Sequence, residues 1–317
     1  MIKSAIGGLM ETAKIDSSRY AFLVKFAAFA ATAIALLLVL LKLYAWFATD
    51  ASAMLASATD SILDLFASVM NVIILRFSLA PADDEHKFGH GKAESLAGLV
   101  QAAFVLGSAL LLVFNGVDRV INPQEIISTE VGIWVSIIAV VMTLLLVLIQ
   151  KYVIAKTRSV AISADALHYQ SDILLNLGVL LALFLSQGYW LQADGIFTIG
   201  VGVFLIVGAS KIMWLSVHQL MDHELTSVEL NKIKHIVTTH GGALGLHELR
   251  TRQAGPDRFI QFHLELSDEL SLLEAHAIGD AIEAEIIQAL APCEVFIHHD
   301  PSSVVHKELA NNEKATQ

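Results

Sequence analysis

Six long apolar stretches fill the first two-thirds of the chain, and each could cross a bilayer, which takes about 20 helical residues. They are Tyr20–Phe47, Ser52–Ala80, Ala93–Val120, Val131–Ile154, Ile162–Ser186 and Ala193–Leu215. The fourth stretch is the most continuous, while the second and fifth contain the most polar residues, as expected of helices that face a protein interior. The pattern predicts an α-helical polytopic membrane protein with six transmembrane helices.

After residue 215 the pattern becomes that of a soluble domain. Amphipathic and alternating segments follow one another as helix, strand, strand, helix and strand, at Thr226–His240, Leu246–Gln253, Arg258–Leu266, Ser271–Leu290 and Glu294–His298. Ser227 is the expected N-cap of the first helix, and Ala-Gly-Pro-Asp between the first two strands predicts a hairpin. The order αββαβ predicts a small α+β sandwich with both helices on one face of the sheet.

These changes of pattern divide the chain into four parts. We expect a cytoplasmic N-terminal segment (residues 1–19), a transmembrane domain (20–215), a cytoplasmic domain (216–305) and a disordered polar tail (306–317). Lysine and arginine concentrate before the first stretch and in the loops after the second and fourth, so the positive-inside rule places both termini in the cytoplasm.

Composition agrees with a membrane protein: 55% of the residues are hydrophobic and only 16% are charged. The net charge of −11 gives no electrostatic basis for nucleic-acid binding. Cys293 is the single cysteine, which excludes an intramolecular disulfide and fits a reducing compartment.

Two pairs of ionisable residues interrupt the least apolar stretches: Asp60 and Asp64 in the second, His168 and Asp172 in the fifth. The i,i+4 spacing places each pair on one helix face. A charge at the bilayer centre costs about 2.5–3.5 kcal/mol on insertion scales, so such residues are usually functional. Since the two helices run in opposite directions, the pairs can meet at one depth and offer a divalent cation such as zinc three carboxylates and an imidazole. The alternatives are a proton relay without metal and polar contacts that merely hold helices together.

The same four residues suggest a transport mechanism. Metal binds deprotonated ligands, so loading releases protons and protonation expels metal. The imidazole of His168 is the group that titrates nearest to neutral pH. One competitive site that opens alternately to each side therefore suffices for antiport of a divalent cation against protons. Asp165, two turns closer to the cytoplasm, either lines the access route or is a carboxylate at the start of its helix.

Two further groups of residues are candidate metal ligands. Asp83, His86 and His90 lie in the acidic loop after the second stretch, where they either chelate a cation or are simply solvated. The soluble domain holds a second group, His247, His263, His276, His298 and Asp300. A carboxylate that bridges two cations would explain Asp300 beside His298, although surface histidines are common without metal.

Lys92 and Asp222 lie at the predicted cytoplasmic ends of the third and sixth stretches. They either form a charge pair within a subunit interface, or Lys92 extends to the membrane surface as lysines commonly do.

Taken together, these stretches resemble the cation diffusion facilitator family, in particular its bacterial zinc and ferrous-iron efflux branch. The matching motifs run Ser57–Asp64 (SATDSILD), Pro81–Glu94 (PADDEHKFGHGKAE), Ala164–Asp172 (ADALHYQSD), His247–Pro256 (HELRTRQAGP), Phe259–Glu265 (FIQFHLE) and Ile297–Pro301 (IHHDP). They span nearly the whole chain except its ends. His223 and His299 depart from the pattern, where Arg and Gln are expected.

The resemblance implies a homodimer in the bacterial inner membrane, with a cytoplasmic domain similar to metallochaperones of the ferredoxin-like type. It implies export of Zn²⁺ in exchange for protons at Asp60, Asp64, His168 and Asp172, a loop site, and a binuclear tail site bridged by Asp300. Lys92 and Asp222 correspond to a charge interlock at the dimer interface. Aspartate rather than histidine at position 60 implies that Cd²⁺ and Fe²⁺ are also carried.

Two other classes of function fit some of the same residues. An intramembrane metalloenzyme would need an open coordination position and a neighbouring base, and the chain has no His-Glu-x-x-His motif. A metal-sensing membrane protein would depend on the tail histidines rather than on Asp64. We therefore expect a transporter and not an enzyme.

Overall fold

Six long helices form the first of two compact units, Arg19–Leu220. The computed structural model describes residues 17–49, 52–122, 130–186 and 192–306, so most of the predicted N-terminal segment lies outside the described residues. The helices are α1 (Ser17–Thr49), α2 (Ser52–Ser78), α3 (Lys92–Ile121), α4 (Glu130–Thr157), α5 (Val160–Ser186) and α6 (Ala193–Leu220). Each agrees with one of the six apolar stretches, and α6 continues five residues beyond the predicted end.

Five of these helices are long and apolar enough, within the described residues, to cross a membrane. The sixth, α5, carries Asp165, His168 and Asp172 within its first four turns. The helical membrane fold is therefore confirmed, and α5 carries two of the residues predicted for an intramembrane site.

Helices α3 and α6 pack closely because glycines line their contact. A Cβ atom built on Gly195 would lie 2.7 Å from the carbonyl oxygen of Gly116 and 2.8 Å from the backbone nitrogen of Val120. No side chain fits between backbones at this distance, so the two helices depend on glycine here.

The second unit contains the residues from Met221 onward and has a three-stranded sheet with two longer helices. Its elements are α7 (Ser227–Thr239), β1 (Gly245–Ala254), β2 (Asp257–Leu266), α8 (Leu272–Leu290) and β3 (Cys293–Pro301). The strand order is β1-β2-β3, with β1 antiparallel and β3 parallel to β2. The predicted α+β order is confirmed.

Both helices of this unit cover one face of the sheet. Ile260, Phe262 and Leu264 alternate along β2 and are fully buried, in one hydrophobic core with Ile233 of α7 and Ile282 of α8. Alternation along the strand places His263 on the opposite face, away from α7 and α8.

Two details at the ends of elements differ from the sequence prediction. The N-cap of α7 is Thr226, so the choice of Ser227 is wrong by one residue: Thr226 Oγ1 accepts a hydrogen bond from the Glu229 N–H, and the Glu229 carboxylate accepts one from the Thr226 N–H. This reciprocal capping box outcompetes a lone serine. Residues 302–306 form a short helix, while the remainder of the predicted disordered tail lies outside the described residues.

Candidate metal centres

The membrane unit brings together three of the four residues predicted for an intramembrane site. Asp64 on α2 and His168 and Asp172 on α5 each offer a ligand atom, and these atoms lie within 4.8 Å of one another. His168 Nε2 is 2.9 Å from Asp64 Oδ1. The i,i+4 spacing on α5 produces this arrangement, because it aims His168 and Asp172 from one helix face toward α2.

Asp60, the fourth predicted ligand, is placed differently. It lies on α2 one turn before Asp64, its side chain is exposed, and it is outside the group formed by the other three residues. The i,i+4 spacing predicts a shared helix face, but it does not predict how far along that face the neighbouring helix reaches.

The trio is flanked by hydrogen bonds between helices. Next to His168, the Tyr169 hydroxyl is 2.7 Å from Ser68 Oγ, one turn after Asp64 on α2. Asp165 is 1% exposed and accepts hydrogen bonds from the amides of Gln101 and Gln150, at 3.0 and 2.7 Å. This burial favours a structural role for Asp165 over a position on an access route.

Lys42 is an ionisable residue near this site to which the sequence prediction assigned no role. It lies on α1, and its Nζ donates to Ser61 Oγ (2.7 Å) and to the Ser57 carbonyl (3.3 Å) on α2. A lysine inside an apolar stretch carries the same signal as an intramembrane aspartate, so the hydrophobicity pattern alone could have identified it.

The three predicted loop residues also meet in the structure. The side chains of Asp83, His86 and His90 offer ligand atoms within 4.8 Å of one another, with His90 Nε2 3.4 Å from Asp83 Oδ2. The backbone N–H of His86 donates to Asp83 Oδ1 (2.6 Å) and, with the N–H of Glu85, lowers the pKa of Asp83. Asp83 therefore remains a charged acceptor at the solvent-exposed edge of this loop.

Strand register places three predicted tail ligands side by side. His247 on β1 pairs with His263 on β2, which pairs with His298 on β3, so the three imidazoles form one row across the sheet. A bulge follows His247, and Glu248 adopts a left-handed φ of 49° within it. The row lies on the face away from the helices, where the rings are open to ligands.

Asp300 links the three imidazoles of this row. Its Oδ2 is 2.7 Å from His263 Nδ1 and 3.2 Å from His247 Nε2, while Oδ1 is 3.1 Å from His298 Nε2. Each carboxylate oxygen thus faces its own set of imidazole nitrogens. This division suits a carboxylate that bridges two cations.

Two other histidines near the row are placed differently. His276, the fifth predicted tail ligand, is exposed on α8 and lies 3.5 Å from Asp280, on the helix-covered side of the sheet. His299 points toward Gly279 of α8; burial lowers its pKa, and the charges of His276 and His298 lower it further. Neither residue joins the row within one chain.

Lys92 and Asp222 each have a partner in their own unit. Lys92 Nζ donates to the Leu220 carbonyl at 3.4 Å, and Asp222 Oδ2 is 3.6 Å from an Arg252 nitrogen. Their interlock remains a prediction.

Two family models match the chain. One describes a cation efflux transmembrane domain and covers residues 28–221; the other describes the cytoplasmic domain of cation efflux proteins and covers residues 225–302. Their boundary coincides with the start of the soluble pattern.

Similar proteins include the cation-efflux pumps FieF of Shigella boydii serotype 18 and of Salmonella arizonae. The first is 46% identical over 289 residues, which cover 91% of this chain and 96% of the relative. The second is 46% identical over 290 residues, which cover 92% and 97%. A structure of CzrB in a zinc form is 33% identical, with a TM-score of 0.25, over 26% of this chain and 94% of its own. With intramembrane carboxylates, a helical membrane unit and a sheet-based second unit all in place, the chain belongs to the cation diffusion facilitator family of cation efflux transporters.

Proposed function

We propose that this transporter exports divalent cations from the cytoplasm in exchange for protons, with Zn²⁺ as the main substrate and Cd²⁺ and Fe²⁺ as further ones. The observation that carries the proposal is the convergence of Asp64, His168 and Asp172 between two membrane helices. Carboxylates clustered inside a bilayer repel each other unless a cation or protons neutralise them. Imidazole nitrogen and carboxylate oxygen are ligands that zinc accepts, and Asp60 would complete the set from the preceding turn of α2.

Exchange with protons follows from the contact between His168 and Asp64. At 2.9 Å the two side chains share a proton, and a cation that binds both must displace it. Protons that return to the same atoms on the other side of the membrane would release the metal. A single site thus couples the two fluxes without any separate proton route.

The other clusters have supporting roles in the proposal. Asp83, His86 and His90 attract cations at the cytoplasmic mouth rather than carry flux. The tail row with Asp300 holds two zinc ions, which stabilise a homodimer and adjust export to cytoplasmic zinc. His276 remains a predicted further tail ligand, and Lys92 with Asp222 a predicted interlock of that dimer.

The setting of the protein is part of the same proposal. It lies in the lipid of a bacterial inner membrane with both termini in the cytoplasm, and residues 20–215 and 216–305 are its membrane and cytoplasmic domains. Protons are the counter-substrate, and nucleic acid is not a partner.

Zinc flux in sealed proteoliposomes tests this function. With the purified full chain and an acidic vesicle interior, we expect zinc uptake that stops when the pH gradient is collapsed. Asp64→Ala should reduce the rate by at least about 100-fold, because it removes a ligand that no neighbour replaces.

Asp118→Ala is the matched control, since Asp118 lies on α3 outside the three clusters that the structure describes. Its flux should stay within about twofold of wild type. Flux that ignores the pH gradient, or that survives Asp64→Ala, would contradict the proposal.

A further inference from the structure

Lys42, on α1, contacts the part of α2 that contains Asp60. The proposed transport mechanism gives it no role. Helix α1 is long and apolar enough to cross a membrane. Placing an ammonium among such residues is unfavourable, so lysines inside spans usually have a functional partner.

The ammonium is held at the level of the site. Its bonds to Ser61 Oγ and to the Ser57 carbonyl fasten it beside the turn of α2 that contains Asp60. Ser61 is only 2% exposed, so this contact is shielded from solvent. Inside a bilayer, a charge held there acts at short range on the carboxylates of the proposed site.

An ammonium has three donors and no lone pair, so Lys42 does not bind the transported metal. Its influence is through charge. The three carboxylates of the proposed site, Asp60, Asp64 and Asp172, carry three negative charges, and one fixed ammonium leaves two. A divalent cation neutralises that remainder, which matters inside a bilayer where net charge is poorly solvated.

We propose that Lys42 is the built-in counter-charge of the transport site: it matches the site to a divalent cation and limits how tightly that cation is held. The inference rests on the proposed function, since it needs the transport site to lie at Asp64 and its neighbours. Lys42 is therefore a positioning and affinity-setting residue and not a ligand. A site without it would bind zinc more tightly and release it more slowly.

The direction of the change in zinc affinity distinguishes an electrostatic role of Lys42 from a purely structural one. If Lys42 only fastened α1 to α2, its loss would loosen the site and weaken zinc binding. If it acts as counter-charge, Lys42→Met should tighten zinc binding by about tenfold or more, because the repulsion between a monocation and a dication is removed. Transport turnover should then fall, because release becomes slower.

The experiment uses the full chain in detergent, with the loop and tail clusters disabled by His86→Ala, His263→Ala and Asp300→Ala. Zinc affinity is measured near pH 7 by competition with a chelating dye. Lys42→Arg preserves the charge and should remain within about threefold of the parent. Ser61→Ala removes the anchoring hydroxyl but keeps the ammonium, so its affinity should change less than that of Lys42→Met.

Unchanged or weaker zinc binding in Lys42→Met would overturn the inference. Lys42→Gln provides the same comparison if the methionine variant does not fold. Asp64→Ala in the same background tests the proposed function separately: if zinc affinity does not fall there, the transport site itself is misplaced, whatever Lys42 does.

Discussion

Glu229 illustrates at the residue scale how polar groups stabilise the cytoplasmic unit. It is 4% exposed, caps α7 and lies 2.9 Å from Arg258 Nε on β2. Burial alone would raise the pKa of Glu229, but hydrogen bonds from Thr226 and the charge of Arg258 lower it. The carboxylate is therefore bound in its ionised form.

This arrangement predicts a pH-dependent effect of Glu229→Gln. Because the folded-state pKa is lowered, the stabilisation is complete above the unfolded pKa of about 4.3 and is lost as the pH falls through the folded value. At neutral pH the variant should lose roughly 1 kcal/mol of unfolding free energy, and near pH 3 the difference should be smaller. Denaturant unfolding at both pH values measures it.

Glu285→Gln is the control for this comparison, since Glu285 is exposed on α8. It should leave the unfolding free energy unchanged. An equal loss at both pH values in Glu229→Gln would show that the side chain acts by shape rather than by charge.

At the scale of elements, the contact between α3 and α6 depends on backbone proximity. A Cβ at Gly195 would meet backbone atoms of α3 below 3 Å, whereas at Gly200, on the same helix, it would meet nothing within 4 Å. The two glycines therefore form a matched pair that separates helix contact from helix propensity.

Gly195→Ala should destabilise the membrane unit by roughly 1–3 kcal/mol, because the backbones must move apart. Gly200→Ala should be neutral or stabilising by up to about 1 kcal/mol, as alanine favours helix. Thermal unfolding in detergent, followed by tryptophan fluorescence, measures both. Equal effects of the two substitutions would show that α3 and α6 do not pack as described.

The elements themselves could be predicted because each depends on a local pattern. Long apolar stretches predicted all six membrane helices, and alternation predicted the three strands. The bulge after His247 and the parallel pairing of β3 could not be predicted, since both depend on partners distant in sequence. They decide which histidines meet, so the row of His247, His263 and His298 follows from register and not from spacing.

On the scale of the whole molecule, the proposed tail site links metal binding to assembly. His263 lies at the centre of the imidazole row, 2.7 Å from Asp300. Zinc bound there would add free energy to whichever dimer geometry binds it better.

His263→Ala should therefore weaken the zinc dependence of dimerisation by about tenfold or more. Analytical ultracentrifugation of the full chain with zinc and with chelator measures this. His235→Ala, on exposed α7 surface, is the control. Identical dimerisation of His263→Ala and wild type at every zinc concentration would show that the tail site does not control assembly.

The candidate transport site was largely predictable because intramembrane charge is rare. Asp64, His168 and Asp172 meet because they lie on facing sides of α2 and α5. For Asp60 and Lys42, the sequence pattern does not predict which residues of neighbouring helices they contact. The reach of a neighbouring helix decides whether Asp60 approaches the other ligands, and only the packing of α1 on α2 reveals the partners of Lys42.

The proposed function requires one divalent cation to bind between α2 and α5. Zinc-edge X-ray absorption of the full chain, with the loop and tail clusters disabled by His86→Ala, His263→Ala and Asp300→Ala, identifies the ligands of that cation. We expect one imidazole nitrogen and otherwise oxygen ligands at about 2 Å, with the imidazole signal lost in His168→Ala. Zinc bound without an imidazole, or a spectrum that His168→Ala leaves unchanged, would contradict it.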